Sequence, residues 1–313
     1  MKLLPAIAGI FSLVSGSAFA DAPAGIEATI DESAAPGANF GIAEFRLWLP
    51  RDIGVLRGAL VLVPGSNSDG RAMAGDPVWQ GFATKQGLAI IACHFADRPH
   101  DQDFIEEYAD VPRGSGQALL EALVRFALRA RHPELAGAPL LLWGMSAGGE
   151  FNYEFTAWKP ERVIAFVVNK GGIYYTALTS RAARAVPGLL FVGGQDLESR
   201  TDTIRGLFAV NRRAGALWVL TEEPAVGHDG GRSREMSLLY FEEVLPLRLG
   251  EPGSPLRVLN AESGYLGSTK TKDYRPARGA SPTGDRTAWL PTERAARAWR
   301  SIVTSAPFDG GRP

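Results

Sequence analysis

Residues 143–149 read WGMSAGG: a serine flanked at two-residue spacing by Gly144 and Gly148, directly after the apolar run PLLLW. Between a buried strand and a helix, such a stretch is a sharp turn that thrusts one side chain out at the strand's end. It closes only if the residues two before and two after are small enough for the backbones to approach. Ser146 is therefore the candidate nucleophile. The helix expected next carries Phe151 and Phe155 one turn apart, and its N-terminus favours negative charge developing on a substrate oxygen. Because G-x-S-x-G also occurs in ordinary turns, its meaning depends on the rest of the chain.

On both sides of the turn, short β-like runs alternate with helical segments: FGIAEFRLWL (40–49), GALVLVPG (58–65), LAIIACHF (88–95), PLLLWG (139–144), VIAFVVN (163–169), GLLFVGG (188–194) and ALWVLTEE (216–223). Most are continuously apolar, as strands of a parallel sheet must be when neither face meets water. The segment SGQALLEALVRFALRA (115–130) puts Leu119, Leu120, Leu123, Val124 and Ala127 on one helical face, the pattern of an amphipathic crossover helix. Pro160 ends the helix after the serine turn. The alternation defines an α/β fold: a mostly parallel central sheet with helices on both faces.

Beyond Leu249 this rhythm stops, and residues 250–313 are rich in Gly, Pro, Ser and basic residues. The segment reads as an irregular C-terminal extension that docks on the main domain through Tyr265, Trp289 and Trp299. A closing helix is expected over PTERAARAWRSIV (291–303), with Pro291 near its first turn and Ala295, Trp299 and Ile302 on one face. At the other end, residues 1–20 combine Lys2, an apolar stretch and the small-x-small end Ala18-Phe19-Ala20, the pattern of a cleaved export signal. The expected organisation is a signal peptide (1–20), a catalytic domain (21–249) and the extension (250–313), with the mature chain periplasmic or secreted and free of integral membrane segments.

Composition narrows the partners. The 313 residues are 45% hydrophobic and 21% charged with a formal charge of −1, so there is material for a large core but no bulk attraction to nucleic acid or anionic membrane. A small-molecule or polymeric substrate fits better. Cys93 is the single cysteine, so an intrachain disulfide or a cysteine-rich metal site is impossible. Its place in LAIIACHF makes it a core thiol.

The other candidate site residues follow Ser146 at later strand ends. Asp196 comes two residues after GLLFVGG, and His228 lies in the loop after ALWVLTEE. Carboxyl edges of parallel strands gather a site in this way. A serine hydroxyl needs a base, here His228, and the histidine needs a carboxylate to fix its tautomer and stabilise its cation. Asp196 is the first choice, with Glu198 and Asp202 as alternatives. For an oxyanion, the backbone N–H of Ala147 supplies one donor, and Ser66 or Asn67, after GALVLVPG, supplies the second. This chemistry requires no cofactor and no metal. The run HFADRPHDQD holds His94, Asp97, His100, Asp101 and Asp103, but in no specific ligand spacing, and reads as a substrate-facing loop. Trp79, Trp143 and Tyr174 are pocket candidates whose ordinary role is core packing.

With these residues in place, GMSAGG, VPGSN, GGQD and GHDGG resemble the elbow, oxyanion loop, acid and histidine of the α/β-hydrolase family across residues 40–249. Within it the chain is most similar to secreted esterases of the polyhydroxyalkanoate-depolymerase and feruloyl-esterase type. The resemblance implies Ser146 as nucleophile, His228 as base, Asp196 as acid, and an acyl-enzyme resolved by water. Two features depart from the pattern: Pro64-Gly65 replaces the usual His-Gly before the oxyanion loop, and the disulfides common in secreted esterases are absent. The activity expected is carboxylic-ester hydrolysis. A peptidase or amidase of the same fold and a non-catalytic binding protein are the alternatives.

Overall fold

The computed structural model describes residues 29–311 except 103, 281–283 and 285. The expected export signal lies outside the described residues. Eight strands form the central sheet: β1 (Thr29–Ser33), β2 (Ile42–Trp48), β3 (Gly58–Val63), β4 (Leu88–Ala96), β5 (Leu140–Met145), β6 (Val163–Asn169), β7 (Gly188–Gly193) and β8 (Trp218–Glu223). Their order is β1-β2-β4-β3-β5-β6-β7-β8. From β4 to β8 every pairing is parallel. β1 and β2 are antiparallel additions at one edge. Burial explains the difference in their sequences. β3, β6 and β7 are buried at every position, whereas the edge strand β1 alternates exposed and half-buried residues, as a strand with one wet face must.

Two groups of helices cover the sheet. In one, α1 (Pro77–Gln86), α6 (Ser233–Arg248) and α7 (Glu293–Val303) are linked by ion pairs from Lys85 and Arg294 to Glu242. The other contains α2 (Ser115–Ala130), α3 (Ala147–Trp158), the short α4 (Arg181–Arg184) and α5 (Glu198–Arg213), where Asn211 of α5 approaches the Tyr153 hydroxyl of α3. On α2 the buried stripe is centred on Leu119, Ala122, Leu123 and Phe126, while Val124 is exposed and Leu120 half-buried. The buried face is thus rotated by part of a turn from the expected one, toward the side that carries Ala118 and Ala122. Cys93 is fully buried in β4, and burial drives its thiol pKa well up.

The C-terminal extension has its own order: β9 (Tyr265–Ser268), β10 (Tyr274–Pro276) and β11 (Thr287–Leu290) form a three-stranded antiparallel sheet, followed by α7. Trp289 and Trp299 are buried against the main domain, while Tyr265 is half-buried beside Tyr274. The Trp299 indole N–H donates to the Leu220 carbonyl on β8 at 2.9 Å, and Arg212 of α5 donates to the Thr287 carbonyl at 2.6 Å. Among the described residues, no helix is long and apolar enough to cross a membrane.

Candidate active site

Ser146 stands between β5 and α3 with φ 54° and ψ −125°, a conformation that costs a non-glycine residue on the order of 1–3 kcal/mol. The surroundings hold it there. Its N–H donates to the Asn169 carbonyl of β6 at 2.7 Å, and its carbonyl accepts from Gly149 N–H at 2.8 Å. A Cβ on Gly144 would run into the Gly148 carbonyl, and one on Gly148 into the Val63 and Pro64 carbonyls. Both positions of the G-x-S-x-G turn are therefore glycine for lack of space, as the sequence pattern requires.

The structure brings the other two candidates to this serine. His228 Nε2 is 3.1 Å from Ser146 Oγ, and His228 Nδ1 is 2.9 Å from Asp196 Oδ2. The Asp196 side chain is 2% exposed, and its other oxygen accepts from Leu197 N–H at 2.8 Å and Arg200 Nη1 at 2.6 Å. Burial raises this carboxyl's pKa, but the hydrogen bonds from His228, Leu197 and Arg200 outweigh burial and leave it lowered. The carboxylate is thus held charged beside the imidazole, whose far nitrogen faces the hydroxyl. Asp202, the alternative acid, instead meets Arg205 at 3.1 Å, and Glu198 lies exposed at the start of α5.

Ala147 opens α3, so its N–H precedes the first intrahelical bond and points out of the helix end. Across from it, Gly65 comes so near that a Cβ there would lie 3.7 Å from that of Ser146. Ser66 and Asn67 both line the cleft in front of the serine. Asn67 has φ 51°, and its side-chain oxygen accepts from Asp97 N–H at 2.8 Å, tying the loop after β3 to the loop after β4. Burial drives the phenol pKa of Tyr108, beside this loop, well up.

The cleft holds about 1040 Å³ and is open to Ser146 and His228. Asp97, Arg98 and His100 line it, so the loop after β4 does face this space. Among the described residues its candidate metal ligands form no group of three or more that could hold an ion. His94 turns to Glu44 at 2.9 Å, and the Asp97 carboxylate accepts the N–H groups of Glu107 and Tyr108 at 2.9 Å each. Asp103 lies outside the described residues. Trp79 and Trp143 pack against each other at 5.5 Å, and Tyr174 lies edge-on to Tyr153 at 5.0 Å. None of these three rings lines the cleft. Its apolar wall comes from Phe104, Ile105, Ile173 and Leu197, loop residues with no periodic signature. Sequence reasoning also missed Arg200 and Glu150. Each stands four residues after a candidate site residue, Asp196 and Ser146, and that one-turn spacing was the available signal.

No protein-family model matches the sequence, and comparison with curated proteins returns no match. Solved structures do match. LpqC, described as a poly(3-hydroxybutyrate) depolymerase from Bordetella parapertussis, is 17% identical with a TM-score of 0.51, over 72% of this chain and 93% of that one. A ferulic acid esterase is 11% identical with a TM-score of 0.48, over 65% and 92%. Taken with the parallel sheet, the strained serine after β5 and the acid and histidine loops after β7 and β8, the likeness to LpqC establishes that this chain has the α/β-hydrolase fold.

Proposed function

We propose that the protein is an exported serine hydrolase that cleaves carboxylic esters through an acyl-enzyme. The observation that carries this reading is the unbroken hydrogen-bond chain from the Ser146 hydroxyl through both His228 nitrogens to the buried Asp196 carboxylate. Ser146 Oγ attacks the ester carbonyl carbon while its proton passes to His228 Nε2. The new oxyanion accepts hydrogen bonds from the Ala147 N–H and from Ser66 or Asn67, both of which line the cleft. The imidazolium is stabilised by Asp196 and gives its proton to the leaving alcohol as the C–O bond breaks. Water then attacks the acyl-enzyme, again losing a proton to His228, and the acid leaves as Ser146 Oγ recovers its proton.

A protein of the same fold described as a polyester depolymerase makes small and polymeric esters the substrates to try. The test is incubation with a fluorophosphonate, mass spectrometry of the labelled peptide and a panel of p-nitrophenyl esters. Labelling at Ser146 with ester turnover is the expected result. A folded sample showing neither overturns the reading in favour of a binding protein. Export is tested separately: N-terminal sequencing of the protein recovered outside the cytoplasm should begin near Asp21.

A further inference from the structure

Two glutamates in the cleft, Glu150 and Glu106, form no ion pair among the described residues. Glu150 and Glu154 are both buried on α3 and both reach the loop after β6, yet they are not equivalent. Glu154 spends both oxygens there: Oε1 accepts from Tyr175 and Thr176 N–H at 2.8 and 2.9 Å, and Oε2 accepts from the Thr176 hydroxyl at 2.7 Å. Glu150 spends only one, with Oε1 accepting from Gly172 N–H at 2.6 Å and Ile173 N–H at 3.1 Å. Among the described residues no protein group meets its Oε2, and Glu150 lines the cleft whereas Glu154 does not. From the loop after β4 comes Glu106, 8% exposed, also lining the cleft, with no hydrogen bond or ion pair to its carboxyl among the described residues.

No cation that shares the cleft forms an ion pair with either carboxyl, although Arg200 lies near enough to Glu150 for its charge to be felt. Arg200 Nη1 is on Asp196 and Arg98 Nη2 donates to the Gly37 carbonyl at 2.5 Å. His100 faces Asp97 at 3.4 Å and His228 joins Ser146 to Asp196. The free oxygens of Glu150 and Glu106 are not among the buried unpartnered atoms; they open to the cleft, where a cation arriving from outside can meet them. Burial, with Glu106 adding to it, raises the Glu150 carboxyl to about 7 against the two N–H bonds and Arg200. A group with several N–H donors and a positive charge suits such carboxyls, whereas a hydroxyl offers one donor and no charge.

We propose that Glu106 and Glu150 form a subsite for a primary ammonium group on the substrate, one helical turn from Ser146, so that amine-bearing esters are preferred to neutral esters of the same shape. The ester part of this rests on the function proposed above; the ammonium site does not. p-Nitrophenyl 6-aminohexanoate and p-nitrophenyl heptanoate differ only by NH₃⁺ for CH₃. The ratio of their kcat/KM values at pH 8 should favour the amine by about tenfold or more, as for a charge-assisted hydrogen bond in a half-closed site. Glu106→Gln, at a carboxyl with no protein partner, should bring that ratio toward one. Glu150→Gln keeps an oxygen for the Gly172 and Ile173 N–H groups and should do the same. A wild-type ratio at or below one, or a ratio unmoved by both variants, overturns the proposal. Calorimetry with hexylammonium and 1-hexanol on the Ser146→Ala protein separates the two readings. Tighter hexylammonium binding that Glu106→Gln weakens supports the subsite even if no ester is turned over, and equal binding of the two ligands overturns it.

Discussion

At Ser146 the backbone is strained so that one hydroxyl faces the carboxyl edge of the sheet, and the neighbouring atoms leave no slack. Gly148→Ala would press a methyl group into the Val63 and Pro64 carbonyls. The expected loss is about 1–3 kcal/mol in urea unfolding, as for other overpacked sites, with ester turnover falling further than stability. Ser146→Ala should lower kcat by at least about 10³-fold without changing the unfolding midpoint appreciably. For Asp196→Asn the expected loss is about 10⁴-fold in kcat, because an amide cannot hold the imidazole in the tautomer that accepts the serine proton. Wild-type rates in that variant would send the acid's role back to Glu198 or Asp202. Those three carboxylates lie within seven residues of sequence, so composition and spacing do not separate them. Contact with His228 does, and contact depends on how the loop after β7 turns.

Elements are joined at the site by a buried hub that the motifs did not reveal. Lys170, after β6, donates to Glu223 at the end of β8 at 2.7 Å and to the Asn169 side chain at 3.0 Å. Glu223 also accepts from Arg232 N–H at 2.6 Å, anchoring the far side of the loop that carries His228. Lys170 is 0% and Glu223 2% exposed. Removing one partner would leave the other as an isolated charge, so Lys170→Met should cost about 3–5 kcal/mol, measurable by urea unfolding. A Lys170→Met/Glu223→Gln double variant should recover part of that. Further along α6, hydrogen bonding from Lys85, then from Arg294, outweighs burial and lowers the Glu242 carboxyl from 4.5 to about 2. The pair contribution is therefore present above about pH 4.5 and is lost as pH falls toward 2. Replacing Glu242 with Gln should flatten that acid limb in a series of Tm measurements, while an unchanged limb would assign acid sensitivity to other carboxylates.

Across the whole molecule, the extension after Leu249 is part of the core: Trp289 and Trp299 are buried, and Trp299 is bonded to the last strand of the main sheet. Truncation at Gly250 should uncover this apolar surface and give an aggregating or poorly folded product, as judged by size-exclusion chromatography and circular dichroism. A monodisperse truncated protein with wild-type Tm would show that the extension is dispensable. Three-residue and four-residue strands such as β10 and β11 are too short for periodicity to register, so the small sheet was hidden in a segment that composition alone presents as loop. By itself the sequence determined the alternation of buried strands and helices, the glycine-flanked serine and the chain order of serine, acid and histidine. These are local properties, set by side-chain size, hydrophobic period and backbone sterics. Tertiary structure alone decided which carboxylate meets His228, that Glu106 and Glu150 share a cleft without an ion pair among the described residues, and that Lys170 is neutralised by Glu223 fifty-three residues away. Each of those depends on the distance between side chains from different loops, and that distance exists only once the sheet has brought the strand ends together.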